Sequence, residues 1–207
     1  NPLSEGFLWF NLKQMSGELF TSDGLRKYLT AEERKIFLLE AEKGSRELRT
    51  FCCVLVHTGC RISEALALTP EHLDLSEGVI VFESLKKRRK GIFRAVPIPP
   101  SLSDALELVH DIRKKKRSKA KQKPIWTWSR SSAWRYIKAV MDDAGIGEGP
   151  WASPKGLRHG FGVEAVSKGI PLNMLQKWLG HAQLSTTAIY ANAVGEEEKN
   201  IAARMWG

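Results

Sequence analysis

The period of the apolar residues changes once along this chain, and that change sets the fold class. Over most of the sequence apolar positions recur at helical spacing. Between Val79 and Ile98 they alternate instead. Val79-Ile80-Val81-Phe82 reads as one strand and Phe93-Arg94-Ala95-Val96-Pro97-Ile98 as its antiparallel partner. The connection over 86–91 is almost wholly cationic and ends on a turn glycine, so the hairpin has a basic tip. The expected architecture is mainly α with a small antiparallel β-sheet.

Helix starts and stops mark out the rest. Thr30, with Glu33 three residues on, predicts a capped helix over 30–43. A second helix is expected over 45–57, broken by Thr58-Gly59, and a third over 61–68, stopped near Pro70. After the hairpin Ser101 is expected to cap a helix reaching 116. Further helices are expected over 131–144, 157–167, 172–179, 185–191 and 196–205, with Ser185-Thr186-Thr187 capping the helix that holds Tyr190. Residues 1–28 have no clean period and read as an irregular lead-in. The cationic run from Arg113 through Lys123 reads as a solvated loop that touches phosphates. No internal repeat is present.

Composition narrows the partners. At 207 residues and 43% hydrophobic content the chain can bury a real core, which excludes a disordered tail. Its net charge of +9 concentrates polyanions near the surface, so nucleic acid leads the partner classes. Cys52, Cys53 and Cys60 are odd in number, and two are adjacent, as in a reduced protein. They lie with His57 in an apolar helical run, which favours small buried hydrophobes over metal ligands. No apolar run reaches membrane-spanning length, and no secretory signal is visible. The chain starts at Asn1 rather than Met, as a piece of a longer protein would.

Several polar residues sit where chemistry would need them. Arg61 and Glu64 are three apart, so the carboxylate can hold the guanidinium. Lys155 and Arg158 share that spacing at a helix start, where backbone N–H groups also favour anions. His159, next to Arg158, is expected to point elsewhere and to be structural. His181 ends a helix, and Tyr190 follows nine residues later. Taken singly, these are a surface ion pair and a packed tyrosine. Taken together, they suit phosphoryl transfer without a metal. Guanidinium groups grip two non-bridging oxygens, preorganised donors neutralise charge at phosphorus, and a phenol can form a covalent phosphodiester. A mobile lysine can protonate the departing oxygen.

At this point a resemblance is specific. Thr58-Gly59-Cys60-Arg61-Ile62-Ser63-Glu64-Ala65-Leu66 resembles the first-arginine motif of the tyrosine recombinases, the phage-integrase family. Lys155-Gly156-Leu157-Arg158-His159 resembles the second-arginine motif. Leu179-Gly180-His181, with Thr187-Ala188-Ile189-Tyr190-Ala191, is similar to the closing motif. The hairpin lies where the family keeps a catalytic lysine. The match runs from about residue 29 to the C-terminus.

The resemblance implies the catalytic-domain fold over 29–207, with 1–28 leading in from an N-terminal DNA-clamp domain. It implies a site-specific recombinase or integrase that cuts and rejoins DNA through a 3′-phosphotyrosyl link on Tyr190, freeing a 5′-hydroxyl. Arg61, Arg158 and His181 would bind the scissile phosphate, and Glu64 would support Arg61. Lys86 would protonate the leaving oxygen, with Lys87 as its rival, while Lys87, Arg88, Arg89 and Lys90 would contact DNA. No metal or other cofactor is implied. The implied partners are double-stranded DNA and further copies of the chain, joined in a tetrameric synapse through the C-terminal helix. The implied setting is the bacterial cytoplasm, at the nucleoid. One position departs from the pattern, because the family's histidine three residues before the second arginine is Lys155 here. An ordinary lysine pKa is about 10.4, so Lys155 would clamp phosphate, or act as base if burial beside other cations depresses it. Two rivals stand beside this reading: a type IB topoisomerase, similar in fold and residues, and a DNA-binding domain that has lost catalysis.

Overall fold

The computed structural model describes residues 19–83, 91–117 and 123–192, together with 202, 203 and 205. Helix α1 (Ala31–Ala41) starts as its sequence dictates. Thr30 Oγ1 accepts from Glu33 N, and the Glu33 carboxylate accepts from Thr30 N. Helix α2 (Arg46–Thr58) is capped by Ser45 and ends on Gly59, whose φ of 59° is the left-handed conformation that suits glycine. Helix α3 (Ile62–Leu66) begins directly after Arg61.

The sheet follows. Strands β1 (Leu73–Asp74), β2 (Val79–Glu83) and β3 (Phe93–Pro97) are antiparallel in the order β1-β2-β3, with Ile80 opposite Val96 and Phe82 opposite Arg94. The hairpin is the expected one. Strand β1 and the 3-10 turn Pro70–His72 before it are too short to carry a period. The basic tip, with Lys86, Lys87, Arg88, Arg89 and Lys90, lies outside the described residues.

The helix expected over 101–116 is two helices, α4 (Pro100–His110) and α5 (Ile112–Lys116). Pro100 occupies the first turn, where its missing N–H costs nothing, so Ser101 lies inside the helix and does not cap it. Asp111 breaks the run at φ 51°, a conformation aspartate tolerates. The break delivers Ile112 into the core at 0% exposure. Helix α6 (Arg130–Asp143) is capped by Ser129, and α7 (Pro154–Ser167) by Ser153. Helix α8 (Leu172–Leu179) ends on Gly180. Helix α9 (Ser185–Ala188) passes into a 3-10 turn, Ile189–Asn192, that carries Tyr190. The cap expected from 185–187 is not made: Leu184 takes the cap position without a side-chain bond. Of the helix expected over 196–205, residues 202, 203 and 205 are described: the first two are helical and 205 lies in a turn.

Two buried clusters hold these elements. The larger joins Phe37, Phe51, Leu55, Ile80, Phe82, Leu106, Ile137 and Leu157. Trp126 closes it, edge-to-face with Phe51 at 5.1 Å, its indole N–H donating to Glu47 O. Cys52 and Cys60 lie in this core, and burial pushes the Cys60 thiol up to about 12. The second cluster packs Leu19 and Tyr28, from the end of the lead-in, against Val163, Leu175, Leu179 and Tyr190.

Buried histidines give the stability a pH sign. His110 bonds to Thr50 Oγ1 at 2.8 Å, and burial, then the Lys115 charge, holds its pKa near 4. On unfolding it returns to about 6.5. The unfolded chain therefore binds more protons across that interval, so the stabilisation is present above about 6.5 and is lost as pH falls toward 4. The urea midpoint is expected to fall steadily between neutral pH and about pH 4.5. A midpoint flat over that range would contradict the assignment.

Candidate active site

A cleft of about 760 Å³ opens where α3, α7, the end of α8 and the Tyr190 turn meet. Arg61, Lys155, Arg158, His159, His181 and Tyr190 line it, with Lys27, Arg130 and Trp134 among the other lining residues.

Arg158 is the most constrained of these. It is 7% exposed and donates to Gly59 O and to Leu179 O, each at 2.7 Å. Those carbonyls lie at the C-terminal ends of α2 and α8, where helices leave acceptors unpaired and carry partial negative charge. One guanidinium therefore ties two helix ends to α7 and is fixed in orientation by them. Burial, then the Arg61 charge, lowers its pKa to about 10, so it stays cationic at neutral pH.

Arg61 precedes α3. The Glu64 carboxylate accepts from its backbone N at 2.9 Å and from its guanidinium at 2.8 Å. Glu64 is 2% exposed and has a second cationic partner, Arg94 of β3, whose Nη2 lies 2.6 Å from Oε2. Arg94 also donates from Nε to Trp178 O at 2.7 Å. Burial alone would raise the Glu64 pKa. The Arg94 bond and charge, with the Arg61 N–H and charge, reverse that and hold the carboxyl below its usual range. Glu64 thus bridges the hairpin to α3 and does more than support Arg61. Arg94 was not among the expected site residues. Its signal was there: in a strand reading Phe-Arg-Ala-Val-Pro, period two puts Arg94 on the core side with Val96, and a charge there needs a partner.

His181 follows Gly180 out of α8. Its Nδ1 bonds to Thr187 Oγ1 at 2.9 Å, so Thr187, expected as a cap, holds this ring instead. The ring lies parallel to that of Tyr190, with centroids 6.3 Å apart and planes 11° apart. Tyr190 is 1% exposed. Its ring rests on α7 at Gly162, where a Cβ would come within 2.5 Å of the phenol ring.

His159 does not point elsewhere. Its Nδ1 lies 3.2 Å from Tyr190 Oη. Lys155, Arg158 and His159 stand at i, i+3 and i+4 of α7, so all share one face. The i+4 relation of His159 to Lys155 is the signal that the sequence carries. Lys155 itself is exposed on the cleft lining.

Fold and cleft together define a mainly helical domain with a cationic cleft that carries the Tyr190 phenol on its lining. Residues 27–197 match the phage integrase family, and the chain belongs to that family. It is 30% identical over 192 residues to the tyrosine recombinase XerA of Pyrococcus furiosus, covering 87% of this chain and 62% of that protein. It therefore spans less than two thirds of that relative. A crystal structure of XerA recombinase superposes with a TM-score of 0.73 at 24% identity, covering 87% of this chain and 65% of that one. The XerH site-specific recombinase bound to its difH substrate, in a pre-cleavage complex, gives a TM-score of 0.68 at 23% identity, covering 91% of this chain and 56% of that one. These likenesses show the shared fold.

Proposed function

We propose that this chain is the catalytic domain of a site-specific DNA recombinase, cutting and rejoining strands through a covalent bond to Tyr190. The observation that carries this is the setting of one phenol. Tyr190 stands in a cleft lined by Arg61, Arg158 and His181, with Arg158 locked in place by two helix ends. The proposed polymer is double-stranded DNA, held largely by phosphate contacts and so sensitive to salt; membership of the phage integrase family supports that choice.

In the proposed step Tyr190 Oη attacks phosphorus, and the bond to the 5′-oxygen breaks. Arg61, Arg158 and His181 take the charge that builds on the phosphoryl oxygens. The 5′-oxygen leaves with a proton, for which Lys86 or Lys87 of the hairpin tip is the proposed donor. Rejoining is the reverse, with a 5′-hydroxyl displacing the tyrosyl oxygen. Lys155, exposed at the cleft, is proposed as a phosphate clamp. Lys87, Arg88, Arg89 and Lys90 would grip the backbone nearby. Residues 29–207 would act beyond an N-terminal clamp domain, and the C-terminal helix would join protomers in a tetrameric synapse.

The test uses a pool of nicked duplexes of randomised sequence. A nick lets the short 5′ fragment diffuse away and traps the intermediate. The full chain is expected to yield complexes that survive detergent, and their DNA supplies the substrate for later assays. Failure to trap any complex would contradict the function.

The setting of Tyr190 predicts a second result. Gly162→Ala would put a methyl group into the phenol ring and push it out of line. A displacement near 1 Å costs on the order of 100-fold in rate. Single-turnover adduct formation should fall by about that factor, with DNA affinity retained. A rate equal to wild type would show that Tyr190 does not rest on Gly162.

A further inference from the structure

The geometry points to His159 as the catalytic base that takes the phenolic proton from Tyr190 and returns it on rejoining. This rests on Tyr190 being the nucleophile. His159 Nδ1 and Tyr190 Oη are 3.2 Å apart, within reach of proton transfer. Both side chains are held there. His159 is 7% exposed on α7, and Tyr190 is 1% exposed and seated one turn further along the same helix, on Gly162. The rings are tilted by 55° with centroids 5.9 Å apart.

The two other candidates have other engagements. Lys155 is exposed on the cleft lining, and an ammonium offers no acceptor. His181 uses its Nδ1 on Thr187 and lays its ring parallel to the phenol ring.

His159 is also in the right form. Burial, then Lys155, Arg158, His181 and Lys27, hold its pKa near 4, so the ring is neutral at neutral pH. Neutral imidazole accepts at one nitrogen only. Acceptance at Nδ1 requires the proton on Nε2, which is buried and has no hydrogen-bond partner among the described residues. A phosphodiester entering the cleft would offset the field of those surrounding cations and raise the proton affinity of His159. The base would then strengthen when substrate is in place.

The balance is simple. As the Tyr190 Oη–phosphorus bond forms, the phenolic proton passes to His159 Nδ1. The phosphorus–5′-oxygen bond breaks, and its oxygen takes a proton from a separate donor. On rejoining, the imidazolium returns its proton to the departing tyrosyl oxygen.

Two measurements test this. The first needs no substitution: the histidine tautomers of the DNA-free, 15N-labelled chain, read by long-range 1H–15N correlation. The expected form of His159 is Nε2–H, and an Nδ1–H tautomer would overturn the assignment. The second is His159→Asn, which keeps a polar atom where Nδ1 stands but cannot take a proton. On the trapped nicked duplex at neutral pH, adduct formation should slow by about 10²–10⁴-fold, with duplex affinity unchanged. The deficit should shrink by about tenfold per pH unit as solvent generates the phenolate. A deficit that stays constant with pH would mark a structural role and overturn the base assignment, as would a rate equal to wild type. Absence of adduct from wild type would instead contradict the nucleophile itself.

Discussion

Tyr190→Phe is expected to abolish the covalent protein–DNA complex at every time point while leaving the duplex bound. The substitution removes one oxygen from a residue 1% exposed and keeps the ring on Gly162. It also removes the bond to His159, worth about 1 kcal/mol. The phosphate contacts proposed for Arg61, Arg158 and His181 do not use that oxygen, so affinity should change by less than a few-fold. Gel-shift and detergent-resistance assays on one set of samples separate binding from chemistry. A variant that still forms adduct would place the nucleophile elsewhere.

Glu64→Ala should be the most damaging substitution to the fold itself. Glu64 is 2% exposed and paired with two guanidinium groups, of which Arg94 is as buried as Arg158. Removing it leaves Arg94 charged and uncompensated on the core side of β3. Breaking a buried pair from one side costs about 3–5 kcal/mol. For a domain of this size that is a drop in Tm on the order of 10 °C. Arg61 would also lose its anchor, so adduct formation should fall further than stability alone explains. Glu64→Gln, which keeps the shape and part of the bonding, should fall between. Thermal unfolding that matched wild type would show the ion pairs to be energetically idle.

Much of this was legible in the chain, for identifiable reasons. The hairpin and the longer helices announce themselves by period and caps, as Thr30, Ser45 and Gly59 show. Arg61, Arg158, His181 and Tyr190 were expected to meet, and they line one cleft. What escaped was set by tertiary packing. Asp111 breaks a helix because Ile112 has a place in the core. Thr187 serves His181 because the fold brings that ring within reach. Arg94 and His159 escaped because each looked ordinary alone. Strand period puts an arginine on the core side but does not name Glu64 as its partner, and helix spacing puts a histidine on the face of Lys155 but does not name Tyr190.

His159, 3.2 Å from the Tyr190 oxygen, is the proposed acceptor of the phenolic proton in place of Lys155, and that role depends on Tyr190 being the nucleophile. The most direct test is to digest the trapped adduct and locate the linked peptide by mass spectrometry. The expected result is a nucleotide 3′-phosphate esterified to Tyr190, with a free 5′-hydroxyl on the released strand. Linkage to any other side chain, or through a 5′-phosphate, would contradict it.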